Sequence, residues 1–310
     1  MGVFSALLNG GIIQNCSIES GEVTGNWGVG CLLGACYSST VAGCYSEGIV
    51  NGDIFVGGLV GEVEYGEISD CIAVCDVIGV SGRIGGLAGI VWNDSYVLRC
   101  CAQGSVAGNG PVGGLVGYLT NTGATVSHSY ACGNVSGNAK VGGLVGESTG
   151  VTNVTQSYAT GNVTGNSNIG GLIGVAGTVI ACYATGAVSG TDKVGGLVGS
   201  GGTTTRCYAT GSVSGTTNLG GLIGGGGTVT SSFWDTDTGG PDNGYGVGLP
   251  TVQMKQQATF ETAGWDFTGS PPDWMMFENL TYPQIYGMLM PVESVETLQA
   301  LAYMPAGNFY

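Results

Sequence analysis

The sequence predicts an all-β chain wound as a parallel β-solenoid of about eight to nine rungs, 25–29 residues each, with a small mixed C-terminal cap. Three observations carry that prediction: a recurring hexapeptide, 63 glycines in 310 residues, and a charged fraction of only 9%. Disorder is excluded because 43% of the chain is hydrophobic, enough for a large core. Collagen is excluded because glycine follows no strict period of three.

The hexapeptide VGGLVG and its variants begin at Val29, Val56, Ile84, Val112, Val141, Ile169, Val194 and Leu219. Its first glycines fall at 30, 57, 85, 113, 142, 170, 195 and 220. A second motif precedes the later copies: SYATGNVTG from Ser157, CYATGAVSG from Cys182 and CYATGSVSG from Cys207. The apolar spacing superficially fits a helix, but two adjacent glycines would cost one about 2 kcal/mol. Val, Thr, Tyr and Ile in the flanks favour strands, with the glycine pair turning the chain so that Val56 and Leu59 both face inward. Such a unit cannot bury its apolar side alone, so copies stack. At about 4.8 Å per rung the rod is roughly 40 Å long.

Stacking also accounts for the missing charge. Like charges one rung apart repel by about 1 kcal/mol even in water. Neutral polar residues fill the outward columns instead, as in Thr160, Thr185 and Thr210, or Ser136, Thr164, Ser189 and Ser214. The column Leu32, Leu59, Leu87, Leu115, Leu144, Leu172, Leu197 and Leu222 is expected to form a continuous inner stack.

With these repeats the chain resembles the GLUG-motif repeat family over residues 1–232. The resemblance extends into the tail through SSFWDTDTGG from Ser231, GLPTVQMKQQATF from Gly248, GWDF from Gly264 and LTYPQI from Leu280. It implies a prokaryotic surface or secreted protein with a structural or adhesive role, and it implies no catalytic residues.

Residues 233–310 form the expected capping region, where Trp, Pro and Met concentrate. Pro250 and Thr251 mark a helix start, and Ser294 opens a second expected helix. Phe260, Trp265, Phe267, Trp274 and Phe277 are expected to pack over the last rung, whose backbone edge needs covering. The first rung shows no comparable cap.

Six of 11 cysteines share one repeat column: Cys16, Cys44, Cys71, Cys100, Cys182 and Cys207, with Ser129, Ser157 and Ser232 in the remaining places. One reading staples adjacent rungs as 16–44, 71–100 and 182–207, since the rung spacing lies within disulfide range. The other is a small buried slot in which Cys and Ser interchange by size. Cys31, Cys36, Cys75, Cys101 and Cys132 lie off the column.

Glu62, Glu64, Glu67 and Asp70 cluster in GEVEYGEISD. Paired carboxylates serve glycoside or uronate chemistry, but only Arg83 is a nearby base, and a solvated loop is the preferred reading. Asp235, Asp237 and Asp242 offer oxygen ligands for Ca²⁺ without a closing Glu, so a turn into the cap is preferred and no cofactor is expected. The single histidine, His128, has no acidic neighbour in sequence and reads as a structural residue.

A net charge of −15 argues against nucleic acid as a partner. No run of about 18 uncharged apolar residues predicts membrane insertion. The N-terminus MGVFSALLNGG lacks a basic n-region and a long apolar core, so no signal peptide is visible in the chain as given. The expected function is a non-enzymatic rod that assembles with itself into a filament, sheath or surface layer. An adhesin stalk that meets surface glycans or proteins is the alternative. Flat-faced ice binding would need longer Thr arrays, and a polysaccharide enzyme would need residues the chain lacks.

Overall fold

A computed structural model describes residues 2–288. The Val141 repeat gives the plan of one rung. Val145–Ser148 forms one side, Val151–Thr155 a second, and three short strands, Tyr158–Ala159, Val163–Thr164 and Ser167–Gly170, complete the circuit. Each strand pairs in parallel with its equivalent in the next rung: Val145 with Ile173, Val154 with Val179, Tyr158 with Tyr183, and Gly170 with Gly195. The first two sides are nine-stranded sheets, starting at Phe4–Leu8 and Ile12–Gln14, and the third sheet holds 21 strands. The chain is thus a parallel β-solenoid. In the early rungs the third side is one long strand, Ser17–Gly30 or Tyr45–Gly57, which later repeats break into three.

The hexapeptide divides the interior into two cores. Leu32 to Leu222 lie fully buried in the larger core with Val60, Ile68 and Ile173. Val29, Val56, Ile84, Val112, Val141, Ile169 and Val194 lie in a second, all-aliphatic and thiol core. Val56 and Leu59 therefore both point inward, but into separate compartments. The glycine pair is the wall between them. A Cβ on Gly143 would lie 2.1 Å from the Gly171 carbonyl oxygen and 2.9 Å from the Ala159 Cβ. No side chain fits there.

The two ends of the rod differ. The third sheet continues past residue 232: Phe233–Asp235 pairs with Tyr208–Ala209, and Val247–Leu249 pairs in parallel with Phe233–Asp235. Between those strands the chain crosses the last rung. Gly221 N donates to Pro241 O at 2.8 Å, Asn243 Nδ2 to Ile223 O at 2.7 Å, and Gly226 N to the Tyr245 hydroxyl at 3.1 Å. Trp234 closes the larger core. At the other end Val3, Phe4, Leu8 and Ile12 are exposed, and among the described residues nothing covers them.

The tail aromatics, expected from the sequence to pack over the last rung, line the flank instead. Trp274 meets Tyr183 and Tyr208, Trp265 meets Tyr208 and Phe233, and Phe260 packs on Phe233 and Trp265. They cover a stack of tyrosines, 130, 158, 183 and 208, with centroids 4.7–5.0 Å apart and nearly parallel planes. That spacing equals the rung repeat, so an in-register column builds a ring stack with a broad apolar face that demands covering. The helix expected at Pro250 is two short helices, Thr251–Met254 and Gln257–Thr262. The helix expected from Ser294 lies outside the described residues.

The inner stack sets a measurable cost. Leu144→Ala is expected to destabilise the rod by about 2–5 kcal/mol, because rigid neighbouring rungs cannot collapse into the space. Gly143→Ala is expected to lower the thermal midpoint comparably by forcing two rungs apart. Circular dichroism melts of both variants check this, and wild-type midpoints would contradict the packing.

Candidate functional site

Three constellations hold the chain's chemistry, and the solenoid places each differently. The first is the cysteine–serine column. Every member follows a corner residue in left-handed conformation: Asp70, Arg99, His128, Gln156, Ala181, Arg206 and Ser231 all have φ between 44° and 55°. Asn15 and Gly43 complete the series, and since only Gly43 is glycine the other corners need local support. The next side chain supplies it by bonding back across the corner. Ser129 Oγ donates to Ser127 O at 2.8 Å, Ser157 Oγ to Thr155 O at 2.7 Å, and Cys207 Sγ to Thr205 O at 3.2 Å. The same oxygen or sulfur accepts a backbone N–H from the neighbouring rung. Cys100 N donates to Ser129 Oγ at 3.0 Å, and Cys182 N to Cys207 Sγ at 3.4 Å.

All 11 cysteines, including Cys16, Cys44, Cys71, Cys100, Cys182 and Cys207, are free thiols in this structure. The staples 16–44, 71–100 and 182–207, one of the two readings of the column, are not formed. Side chains in parallel register project the same way, and here each thiol turns to a carbonyl of its own rung. Burial pushes the Cys100 and Cys182 thiols well above their usual pKa. His128 is a corner residue of this series, its pKa lowered first by burial and then by Arg99.

The second constellation is the acidic run. It is not a solvated loop. Glu62 and Glu64 end the strand Val60–Glu64, and Glu67 opens the strand Glu67–Ser69. Glu62 is only 5% exposed and accepts the Tyr37 hydroxyl at 2.8 Å. Asn93 Nδ2 donates to Glu64 at 2.9 Å, and Arg99 makes a bidentate pair with Asp70 at 2.6 and 2.7 Å. Arg83, the base expected beside these acids, is instead held between the rings of Phe55 and Tyr118, 5.6 and 5.5 Å from their centroids. Glu62 and Tyr37 border a cavity of about 300 Å³ shared with Trp27, Asn26 and Ser5, and Trp27 is 61% exposed.

The third is the aspartate loop. Asp235 is fully buried and accepts from the Tyr282 hydroxyl at 2.6 Å, Thr251 Oγ1 at 2.7 Å and Asp237 N at 2.8 Å. Asp237 accepts from Thr251 N at 3.0 Å, the first helical amide, and Asp242 from Gly244 N at 2.9 Å. The three carboxylates are thus spent on separate protein donors that fix the crossing over the last rung. Among the described residues no three acidic, His or Cys side chains gather as a ligand set.

Comparison of the chain with protein-family models, with curated proteins and with solved structures finds no match.

Two tests separate these roles. Ser129→Cys is expected to be nearly neutral, whereas Ser129→Ala leaves the buried Cys100 amide without its acceptor and costs about 1–3 kcal/mol in a denaturant melt. At Glu62, burial raises the carboxyl pKa above its usual value, against the lowering by the Tyr37 hydroxyl, and Glu64 raises it further. The stability this group contributes is full below the ordinary carboxylate pKa and is lost as pH rises through the raised value. Glu62→Gln, always neutral, is therefore expected to melt above wild type at pH 7 and level with it near about pH 3.5. A difference independent of pH would refute the assignment.

Proposed function

We propose that the chain is a non-enzymatic structural rod of the GLUG type, working at a prokaryotic cell surface or in the surrounding matrix and assembling with copies of itself. One observation carries this reading. The stack is finished at its C-terminal end by its own residues 241–245, while the strands of its first rung have no further strand beside them among the described residues, with Val3, Phe4, Leu8 and Ile12 exposed. Unpaired edges flanked by apolar side chains recruit further strands.

The finished end refines how assembly would proceed. Head-to-tail contacts would need a receptive edge at both ends. With one such edge among the described residues, contact at the first rung joins one rod to one neighbouring strand layer, and a sheet or sheath then requires contacts along the flanks. The carboxylates and thiols support a scaffold role, since their partners are backbone amides, hydroxyls and neighbouring rungs. The reading calls for no cofactor.

The closed end also favours a second reading, a spacer or adhesin stalk with one terminated tip. Sedimentation velocity with negative-stain microscopy distinguishes the two. Rods roughly 40 Å long joined into larger particles are expected, and Phe4→Glu with Ile12→Lys is expected to dissolve them without shifting the melt. A concentration-independent single rod would favour the stalk.

A further inference from the structure

Two thiols outside the cysteine column stand apart from the rest. Cys31 and Cys75 are fully buried in the second core, from different rungs and 44 residues apart, with their sulfurs 3.7 Å from each other. Each occupies a place that other rungs give to glycine. Cys31 aligns with Gly58 and Gly86, and Cys75 with Gly48 and Gly104. Glycine elsewhere is what makes room here: a Cβ on Gly58 would lie 3.1 Å from the Cys75 Cβ. The column cysteines share one face and project in parallel. Cys31 sits on the glycine turn and Cys75 on the strand Ile72–Gly79, and their sulfurs approach to 3.7 Å, close enough for a small movement to join them. The surroundings are Val29, Val50, Val56 and Val77, with the Gly58 carbonyl oxygen 3.3 Å from the Cys75 sulfur as the nearest competing acceptor.

We propose that Cys31 and Cys75 form a disulfide that ties the N-terminal rungs across the second core. With a small disulfide such as oxidised glutathione as oxidant, the Cys31 thiolate attacks one glutathione sulfur and releases glutathione thiolate. The Cys75 thiolate then displaces the second glutathione from the mixed disulfide. Two protein thiols are oxidised, one glutathione disulfide is reduced to two thiols, and the two protons pass to them. When the Cys75 thiol turns from the Gly58 carbonyl to Cys31, its hydrogen bond lowers the Cys31 pKa and suits Cys31 to attack first. Because both sulfurs are buried, the exchange belongs to the closing of these rungs during folding, when they are still accessible.

The test refolds the reduced full-length chain from urea in a glutathione redox buffer, followed by peptide mapping without reduction. A linked pair of peptides containing Cys31 and Cys75 is expected, with the thermal midpoint about 5–10 °C above that of the reduced protein. Cys75→Gly, which restores the residue of neighbouring rungs, is expected to fold and to lose the oxidative shift. Complete alkylation of all cysteines after oxidation, a link confined to the column cysteines, or a shift that persists in Cys75→Gly would each overturn the proposal. The outcome is independent of assembly, since an intramolecular link changes the midpoint and not the particle size.

Discussion

Backbone hydrogen bonds run from Leu32 N to Leu59 O, from Leu59 N to Leu87 O, and so on without a break to Leu197 N and Leu222 O, all between 2.8 and 3.0 Å. This ladder binds each residue to its equivalent one rung away and forbids any rung from shifting alone. A slip by one residue would turn every buried side chain outward. Every position in the repeat therefore becomes a column, and each column must hold a residue tolerable when stacked on itself. Leucine in the larger core, valine and isoleucine in the second and tyrosine on the flank all meet that condition.

Charge and thiols are admitted on the same terms. Asp70 and Arg99 occupy one corner column in adjacent rungs with opposite sign, and the pair is bidentate. Asn138 and Asn166 share another column, where Asn166 Nδ2 donates to Asn138 Oδ1 at 2.7 Å. In the corner column Cys and Ser are equivalent for a reason beyond size. Both close a left-handed turn and accept an amide from the adjacent rung, which an alanine of similar volume would not do. Glu62 and Asp235 are exceptions: buried carboxylates in strands, held by hydroxyls, and for Asp235 also an amide, rather than by a cation.

Stacking leaves two unfinished surfaces, and the tail addresses one of each kind. Residues 241–245 satisfy the last rung's backbone, and the segment from 254 to 285 covers the tyrosine stack. Fixing this arrangement are Asp235, at the junction of strand, helix and tail, and Asp273, which accepts from Gln156 at 3.1 Å and pairs with Arg206 at 3.7 Å. Among the described residues nothing covers the opposite end, and that asymmetry underlies the functional reading.

The sequence by itself determined the fold class, the rung length and the inner leucine column, because strand-prone repeats of 25–29 residues, each broken by a glycine pair, bury their apolar side only by stacking in register. It also exposed the Cys–Ser column, though not its purpose, since a bond across a left-handed corner leaves no mark when that corner is Arg99, His128 or Ala181 rather than glycine. Only the tertiary structure decided that Val56 and Leu59 enter different cores, and that Glu62 is buried rather than solvated. It also decided that the tail aromatics lie along the flank and that Cys31 meets Cys75. Each of these depends on which rungs' side chains face one another across the coil. A linear repeat specifies neighbours along a column, whereas contacts across the interior depend on how the circuit bends between columns.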